Sequence, residues 1–197
     1  MGLIIPVQEL TVSEIRAIRD VAKEEAFRIL QRKGVVSSMD ECVFRQPVLG
    51  DSTSTDFRDI DERATVAVAG AQEWLIDSSL LTAGDLSSVL VAGETVNDDT
   101  AIVFYGFANL GGDKDCIAIQ FKKGAKTLSY WNLELLHAYN DKVIGYTQDG
   151  MASYGPNDVI DIKMMLRAGA SAVAGEDYRW VPIGILAEPK NKSLAES

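Results

Sequence analysis

The feature that most constrains this chain is a series of short apolar runs in its second half, separated by clusters of turn residues. The runs recur at intervals of roughly ten residues, and Gly, Asn and Asp close most of them. No helical pattern stands between them, so a parallel sheet built from strand–helix–strand units is not expected. The spacing instead predicts an antiparallel β-sandwich or jelly roll. Its strands are predicted at 86–92, 101–108, 116–121, 127–139, 143–147, 159–166 and 178–186.

Some of these segments carry further signals. Pro182 marks the last strand as an edge strand or as the site of a bulge. The segment 127–139 is interpreted either as one long bent strand or as a strand followed by a helical turn. Residues 62–77 are ambiguous, and we favour a further strand followed by a short turn, with a helix as the alternative. The clearest alternation is in 159–166, where four apolar side chains share one face: Ile160, Ile162, Met164 and Leu166.

A long amphipathic helix is predicted at 11–33. Thr11 and Glu14 have the spacing of a capping box, in which each side chain accepts a hydrogen bond from the other residue's backbone N–H. Gly34 follows two basic residues and ends the helix. The apolar stripe is narrow, so the helix is expected to bury one seam and to leave the rest in water. The stripe consists of Ile15, Ile18, Ala22, Ala26 and Ile29.

An extended apolar arm precedes this helix. Pro6 disfavours helical structure there, and the apolar residues around it need a surface on which to dock. The arm is expected to dock on its own domain or on a neighbouring copy. Because the helix has its own cap, deletion of residues 1–10 is expected to leave the β domain folded and to abolish assembly. The apolar residues of the arm are Leu3, Ile4, Ile5 and Val7.

The predicted organisation has three parts. Residues 1–60 contain the arm, the helix and an irregular linker, residues 61–189 form the β domain, and residues 190–197 form a flexible tail. A chain of 197 residues is long enough for one full domain with an appended arm.

Charge and cysteine content exclude several classes of protein. The net charge of −10 repels phosphate backbones, which argues against nucleic acid as the main ligand. Cys42 and Cys116 belong to no CxxC pair and are expected to be buried small hydrophobes, although one disulfide is left open. No apolar run is long enough to span a bilayer, and no signal-peptide pattern is present. The expected location is therefore the virion, for a viral protein, or otherwise the cytoplasm, with no membrane partner.

Two short motifs resemble blocks of the SGNH (GDSL-type) hydrolases. Gly50-Asp51-Ser52 resembles their nucleophile block, and Gly155-Pro156-Asn157-Asp158 resembles their GxND block. A nucleophilic serine must be paired with a histidine base, which this family places after the GxND block. Here the only histidine, His137, precedes Gly155. Because order and partner both fail, no enzyme is predicted, and Ser52 and His137 are expected to be catalytically silent, with His137 packed among leucines.

No metal or cofactor is expected. The acidic clusters offer oxygen ligands that suit calcium but have no EF-hand register, so solvated turns are expected and calcium binding stays open. These clusters are Asp51, Asp56, Asp59 and Asp61, then 97–99, then Asp113 and Asp115. A small basic cluster is interpreted as a strand edge kept soluble, with an acidic partner as the alternative. It consists of Lys122, Lys123 and Lys126.

In its layout the chain resembles a virion structural protein of a tailed phage, of the cement or decoration type. The arm and helix at 3–33 carry the resemblance, together with the β stretch 99–189, which ends Trp180-Val-Pro-Ile-Gly-Ile-Leu-Ala-Glu-Pro189. The resemblance implies a jelly-roll or sandwich domain whose arm clamps a shell, often as a trimer. It assigns no functional residue.

The predicted function is therefore a non-enzymatic structural protein that binds and stabilises a capsid or related lattice through its arm and β domain. Its expected partners are copies of itself, with a trimer favoured, and the larger lattice. The predicted contact residues are Leu3, Ile4, Ile5, Val7, Ile15, Ile18 and Ile29. One alternative is a hydrolase of unrecognised type. The other is a carbohydrate- or small-ligand-binding sandwich that uses Tyr130, Trp131, Tyr139, Tyr146, Tyr154 and Trp180.

Overall fold

The computed structural model describes residues 2–47, 49–51, 60–62, 75–77, 88–110, 114–138, 143–167 and 177–193. These residues form antiparallel sheets and one long helix, so the predicted fold class is confirmed. The strands are β1 (Ile5–Pro6), β2 (Cys42–Arg45), β3 (Leu49–Asp51), β4 (Ile60–Glu62), β5 (Leu75–Asp77), β6 (Ser88–Thr95), β7 (Ala101–Asn109), β8 (Cys116–Lys123), β9 (Lys126–Asn132), β10 (Val143–Tyr146), β11 (Ala152–Tyr154), β12 (Val159–Leu166) and β13 (Asp177–Pro189). The helices are α1 (Val12–Arg32) and α2 (Lys190–Ser193), with 3-10 turns at Val7–Glu9, Met39–Glu41 and Leu136–Ala138.

The described strands form two main sheets. The larger has the order β1-β10-β7-β13-β2, with β11 also paired to β7 and β5 to β13. The smaller has the order β6-β12-β8-β9. A separate parallel pair joins β3 to β4. Helix α1 packs on β7 and β13, so the larger sheet lies between the helix and the smaller sheet.

The main core fills the space between the two sheets. The alternation predicted for 159–166 is confirmed, because every second residue of β12 is buried there. Phe121 and Trp131 pack against each other in this core, with ring planes tilted by 54° and ring centroids 4.3 Å apart. The segment 127–139 is a strand followed by a 3-10 turn, which confirms the second of the two predicted alternatives.

Strand β7 is buried on both faces, and a β-bulge changes the direction of its side chains. Against β13, Phe104 is opposite Gly184 and Gly106 is opposite Ile183, which leaves Tyr105 as the extra residue. Tyr105 packs towards the helix, whereas Phe104 packs between the sheets. Burial on both faces accounts for the continuous apolar run in this strand. Pro182 was predicted to mark an edge strand or a bulge, but it forms a regular pair with Phe107, and the extra residue of the nearby bulge belongs to β7.

Helix α1 begins and ends as predicted. The Thr11 N–H donates to Glu14 Oε2 at 2.7 Å, and the Glu14 N–H donates to Thr11 Oγ1 at 3.3 Å, which completes the capping box. Gly34 has a φ of +73°, a conformation that a residue without a Cβ adopts easily. The buried stripe differs from the predicted one in two respects, because Leu30 is buried in place of Ile29 and Ile15 is only half-buried. Its members are Ile18, Ala22, Ala26 and Leu30.

Strands from the predicted first part of the chain, 1–60, pair with strands from the predicted β domain, 61–189. Strands β1 and β2 both precede residue 61, yet they pair with β10 and β13 of the larger sheet. The tail was expected to be flexible from residue 190, but its first four residues form α2. Of the ambiguous segment 62–77, only Glu62 and Leu75–Asp77 lie within the described residues, and both belong to strands.

Candidate functional site

The N-terminal arm lies across one edge of the sandwich and contacts both sheets. The Gly2 N–H donates to the Tyr130 carbonyl oxygen of β9 at 3.0 Å. Three residues later, Ile5 and Pro6 pair with Tyr146 and Gly145 of β10. The arm therefore joins an edge strand of the smaller sheet to an edge of the larger one.

Glycines make this close docking feasible. Gly2 and Gly150 approach so closely that a Cβ on either would collide with the Cα of the other. The carbonyl oxygen of Gly150 accepts hydrogen bonds from Ser129 Oγ and Trp131 Nε1, both at 2.6 Å. A Cβ on Gly145 would lie 2.5 Å from Ile4 and 2.7 Å from Leu136. At these points the groove that receives the arm therefore has room for backbone atoms but not for a Cβ atom.

The structure selects one of the two docking alternatives, because the arm packs on its own domain. Ile4 is only 2% exposed and belongs to the core between the sheets. Ile18 is buried under the helix. As folded, these two residues offer no surface to a partner, which corrects their prediction as partner contacts. The expectation that the arm is dispensable for folding stays a prediction, and the burial of Ile4 in the core argues against it.

Other predicted contact residues remain accessible. Leu3 is 64% exposed, although its neighbours Gly2 and Ile4 are buried. Leu135, which was not among the predicted contacts, is 61% exposed and is the chain neighbour of Leu136, which packs with Ile4 around Gly145. We call Leu3 and Leu135 the edge leucines. The remaining predicted contacts are half-buried: Ile5, Val7, Ile15 and Ile29.

His137 is buried and makes a structural hydrogen bond. Its Nε2–H donates to the Cys116 carbonyl oxygen at 2.7 Å, whereas Nδ1 is buried without a partner. The prediction that His137 is packed and hydrogen-bonded is therefore confirmed. Cys116 is the first residue of β8, and the GxND-like turn contacts Lys123, its last residue. Eight extended residues hold these points about 23 Å apart, so His137 cannot act at that turn.

The GxND-like turn has a structural role. The Gly155 N–H donates to Asp158 Oδ2 at 2.7 Å, and Asp158 also pairs with Lys123 Nζ. Asn157 has a φ of +64° and its N–H donates to the Val96 carbonyl oxygen at 3.0 Å. These contacts join the turn to β8 and to Val96, the residue that follows β6. Ser52 lies outside the described residues.

A shallow cleft of about 280 Å³ separates this turn from the end of α1. Its charged groups are largely satisfied by one another, since Lys123 pairs with Asp158 and Arg32 with Glu25 at 3.8 Å. Ser153 lies in the wall, but no histidine does, so the cleft lacks a nucleophile–base pair. Its lining is Glu25, Ile29, Arg32, Lys33, Lys123, Ser153, Gly155 and Asp158.

The aromatic residues predicted for a sugar site are largely buried in the part of the chain that the structure describes. Trp131, Tyr154 and Trp180 are fully buried. Burial raises the pKa of the Tyr154 hydroxyl, which donates to the Lys122 carbonyl oxygen at 3.0 Å. Tyr130 and Tyr146 are half-buried, and Tyr139 lies outside the described residues. At least half of the six predicted residues thus present no ring face to a ligand.

Metal-binding side chains are dispersed over the described part of the chain, which contains no group of three or more His, Cys, Asp or Glu placed to hold an ion. Cys42 and Cys116 are both buried free thiols. The side chains of the acidic loop at Asp51, Asp56, Asp59 and Asp61 are not described.

No protein-family model and no curated protein matches the sequence. Among the described residues, no helix combines the length and apolarity needed to cross a bilayer.

The sequence interpretation missed the docking groove. Gly145 lies inside a predicted strand and Gly150 in the turn that follows it. A glycine within a strand indicates close backbone approach, and this was the available signal. The identity of the approaching segment could not be read from it.

Proposed function

We propose that the chain is a non-enzymatic structural protein that associates with copies of itself and binds a larger protein lattice, such as a virion shell. The observation that carries this proposal is the pair of edge leucines, Leu3 and Leu135. Leu3 is held between two buried residues of a docked arm, so its exposed side chain is presented on an ordered backbone. Ordered exposed leucines favour a contact surface, although single exposed apolar residues are common in monomers.

Two further observations support the proposal. The only histidine is buried and hydrogen-bonded to a backbone carbonyl, which removes the commonest general base. The described clefts and aromatic residues bring together no reacting pair and no stacking platform. The layout of arm, helix and sandwich is the one on which the resemblance to cement and decoration proteins rests.

Sedimentation velocity over a wide concentration range tests the proposal. We expect wild-type protein to form a defined oligomer, and Leu3→Asp with Leu135→Asp to dissociate it while retaining the wild-type melting temperature. Val12→Asp is the matched control, because Val12 is 66% exposed but lies at the start of α1. A wild-type monomer at every concentration would overturn the proposal. So would ester hydrolysis by wild type that is lost in both Ser52→Ala and a folded His137 variant.

A further inference from the structure

The turn that follows β10 contains the one Asp–Gly pair of the sequence, Asp149-Gly150, and the sequence has no Asn–Gly pair. Asp149 is exposed, whereas Gly150 is buried. A glycine after an aspartate leaves its backbone nitrogen unhindered, because there is no side chain beside it. That nitrogen can therefore approach the aspartate Cγ more easily here than after any other aspartate of the chain.

The reaction to which such a pair is prone needs no reagent except water. The Gly150 nitrogen bonds to Cγ of the protonated Asp149 side chain, and the amide hydrogen leaves with the carboxyl hydroxyl as one water molecule. The product is a five-membered succinimide ring, which a second water molecule opens at either of its carbonyl carbons. Opening at Cγ restores aspartate. Opening at the main-chain carbonyl gives isoaspartate, in which the main chain runs through Cβ and Cγ and is one carbon atom longer.

Hydrogen bonds on both sides of Gly150 oppose this reaction in the folded turn. The Gly150 N–H donates to Thr147 Oγ1 at 3.0 Å. The Gly150 carbonyl oxygen accepts from Ser129 Oγ and Trp131 Nε1, both at 2.6 Å. Ring closure consumes the N–H and turns the nitrogen towards the Asp149 side chain. It therefore breaks the bond to Thr147 and displaces the carbonyl oxygen from its two buried donors.

The docked arm covers Gly150 as well. A Cβ on Gly150 would lie 2.4 Å from the Gly2 Cα, so there is no free space between the two glycines. Gly2 is held in place by its N–H, which donates to the Tyr130 carbonyl oxygen at 3.0 Å, and by the buried side chain of Ile4 two residues later. Gly150 is therefore confined for as long as the arm is docked.

We propose that Asp149 is a site of isoaspartate formation that the docked arm suppresses, and that isoaspartate at this position in turn prevents the arm from docking. The second part follows from the same close contact. Isoaspartate lengthens the main chain between Thr147 and Gly150 by one carbon atom, and Gly150 has no space beside Gly2 in which to shift. An arm that is released for long enough thus loses its docking site. This inference concerns a single copy and does not depend on the proposed function.

Ageing of the full-length protein at physiological temperature and neutral pH tests the first part. Isoaspartate is quantified by mass spectrometry in the proteolytic peptide that contains Asp149, and a synthetic peptide of residues 145–153 gives the rate without a fold. Wild type should react at least about tenfold more slowly than the peptide, because a reaction that requires local opening follows the population of the open form. Ile4→Ala, which weakens arm docking, should react at least about tenfold faster than wild type for the same reason.

Matched variants separate arm release from a general loss of stability. Leu30→Ala removes as many carbon atoms as Ile4→Ala from an equally buried position, but in the cluster beneath α1. Leu3→Ala changes the exposed neighbour of Ile4 in the same arm. Both should age at a rate close to that of wild type. Ile4→Val is the milder variant if Ile4→Ala does not fold, and it should still age faster than wild type. Asp149→Glu should abolish the product, because the corresponding ring would have six members.

Several results would overturn the first part. They are equal ageing of wild type and the Ile4 variants, equal ageing of wild type and the peptide, or product that persists in Asp149→Glu. Equal acceleration by Leu30→Ala would assign the reaction to global unfolding and would also overturn it. Hydrogen exchange of the N-terminal peptide tests the second part. In aged wild type, the fraction of molecules with an unprotected arm should equal the fraction that carries isoaspartate, and full protection of the modified molecules would refute it.

Discussion

Two adjacent residues of the arm provide a test of where the arm docks. Ile4 is 2% exposed in the core, and Leu3 is 64% exposed beside it. Ile4→Ala removes three carbon groups, which costs about 2.4 kcal/mol at roughly 0.8 kcal/mol per buried group. The cavity that remains raises the expected loss of unfolding free energy to about 3–4 kcal/mol. Leu3→Ala should change it by no more than about 0.5 kcal/mol.

The assay is thermal and urea unfolding of both variants at two protein concentrations. For a chain of this length, the expected loss corresponds to a melting temperature lower by roughly 7–10 °C for Ile4→Ala. The difference from wild type should not change on tenfold dilution, because docking within one chain is independent of concentration. Equal melting of Ile4→Ala and Leu3→Ala would refute the docking described here. A deficit that varies with concentration would instead place Ile4 in a neighbouring copy.

Two further perturbations follow from the same contacts. Gly150→Ala should lower the unfolding free energy by about 1–3 kcal/mol, because its Cβ collides with Gly2. Most of this loss should vanish in a variant that lacks residues 1–3. Equal losses in both backgrounds, measured by urea unfolding, would contradict this explanation. Thr11→Ala should cost about 1 kcal/mol by loss of the α1 cap. The hydrogen bonds from Thr11 hold the pKa of Glu14 below its ordinary value of 4.5, so the stability they supply is present above that pH and is lost as the pH falls through the lowered value. Thr11→Ala should therefore show a shallower acid dependence than wild type.

Local sequence patterns predicted the helices and strands of this fold better than they predicted which of these elements pair or pack together. Alternation in 159–166 and the capping box at Thr11 are short-range signals, and both are confirmed. The pairing of β1 with β10 joins residues far apart in sequence, and nothing local to the arm specifies that register. The choice of Leu30 over Ile29 depended on the surface beneath the helix, which periodicity alone does not describe.

The same limit applied to the candidate site. The apolar arm was recognised, but its acceptor consists of glycines and backbone atoms, which carry little signal in a hydropathy pattern. The order of the hydrolase-like motifs along the chain already argued against a catalytic pair. The length of β8 adds the distance that separates His137 from the GxND-like turn.

The position of β13 has a consequence for synthesis on the ribosome. Helix α1 is translated early, but the surface on which it packs includes Ile185 and Ala187 of the last strand, which is translated near the end. Until then the apolar seam of the helix has no complete partner, and β7 lacks β13, the strand that pairs with it along one edge. The nascent chain therefore exposes a seam and an open sheet edge for most of its translation, a period in which chaperones that bind apolar segments would compete with self-association.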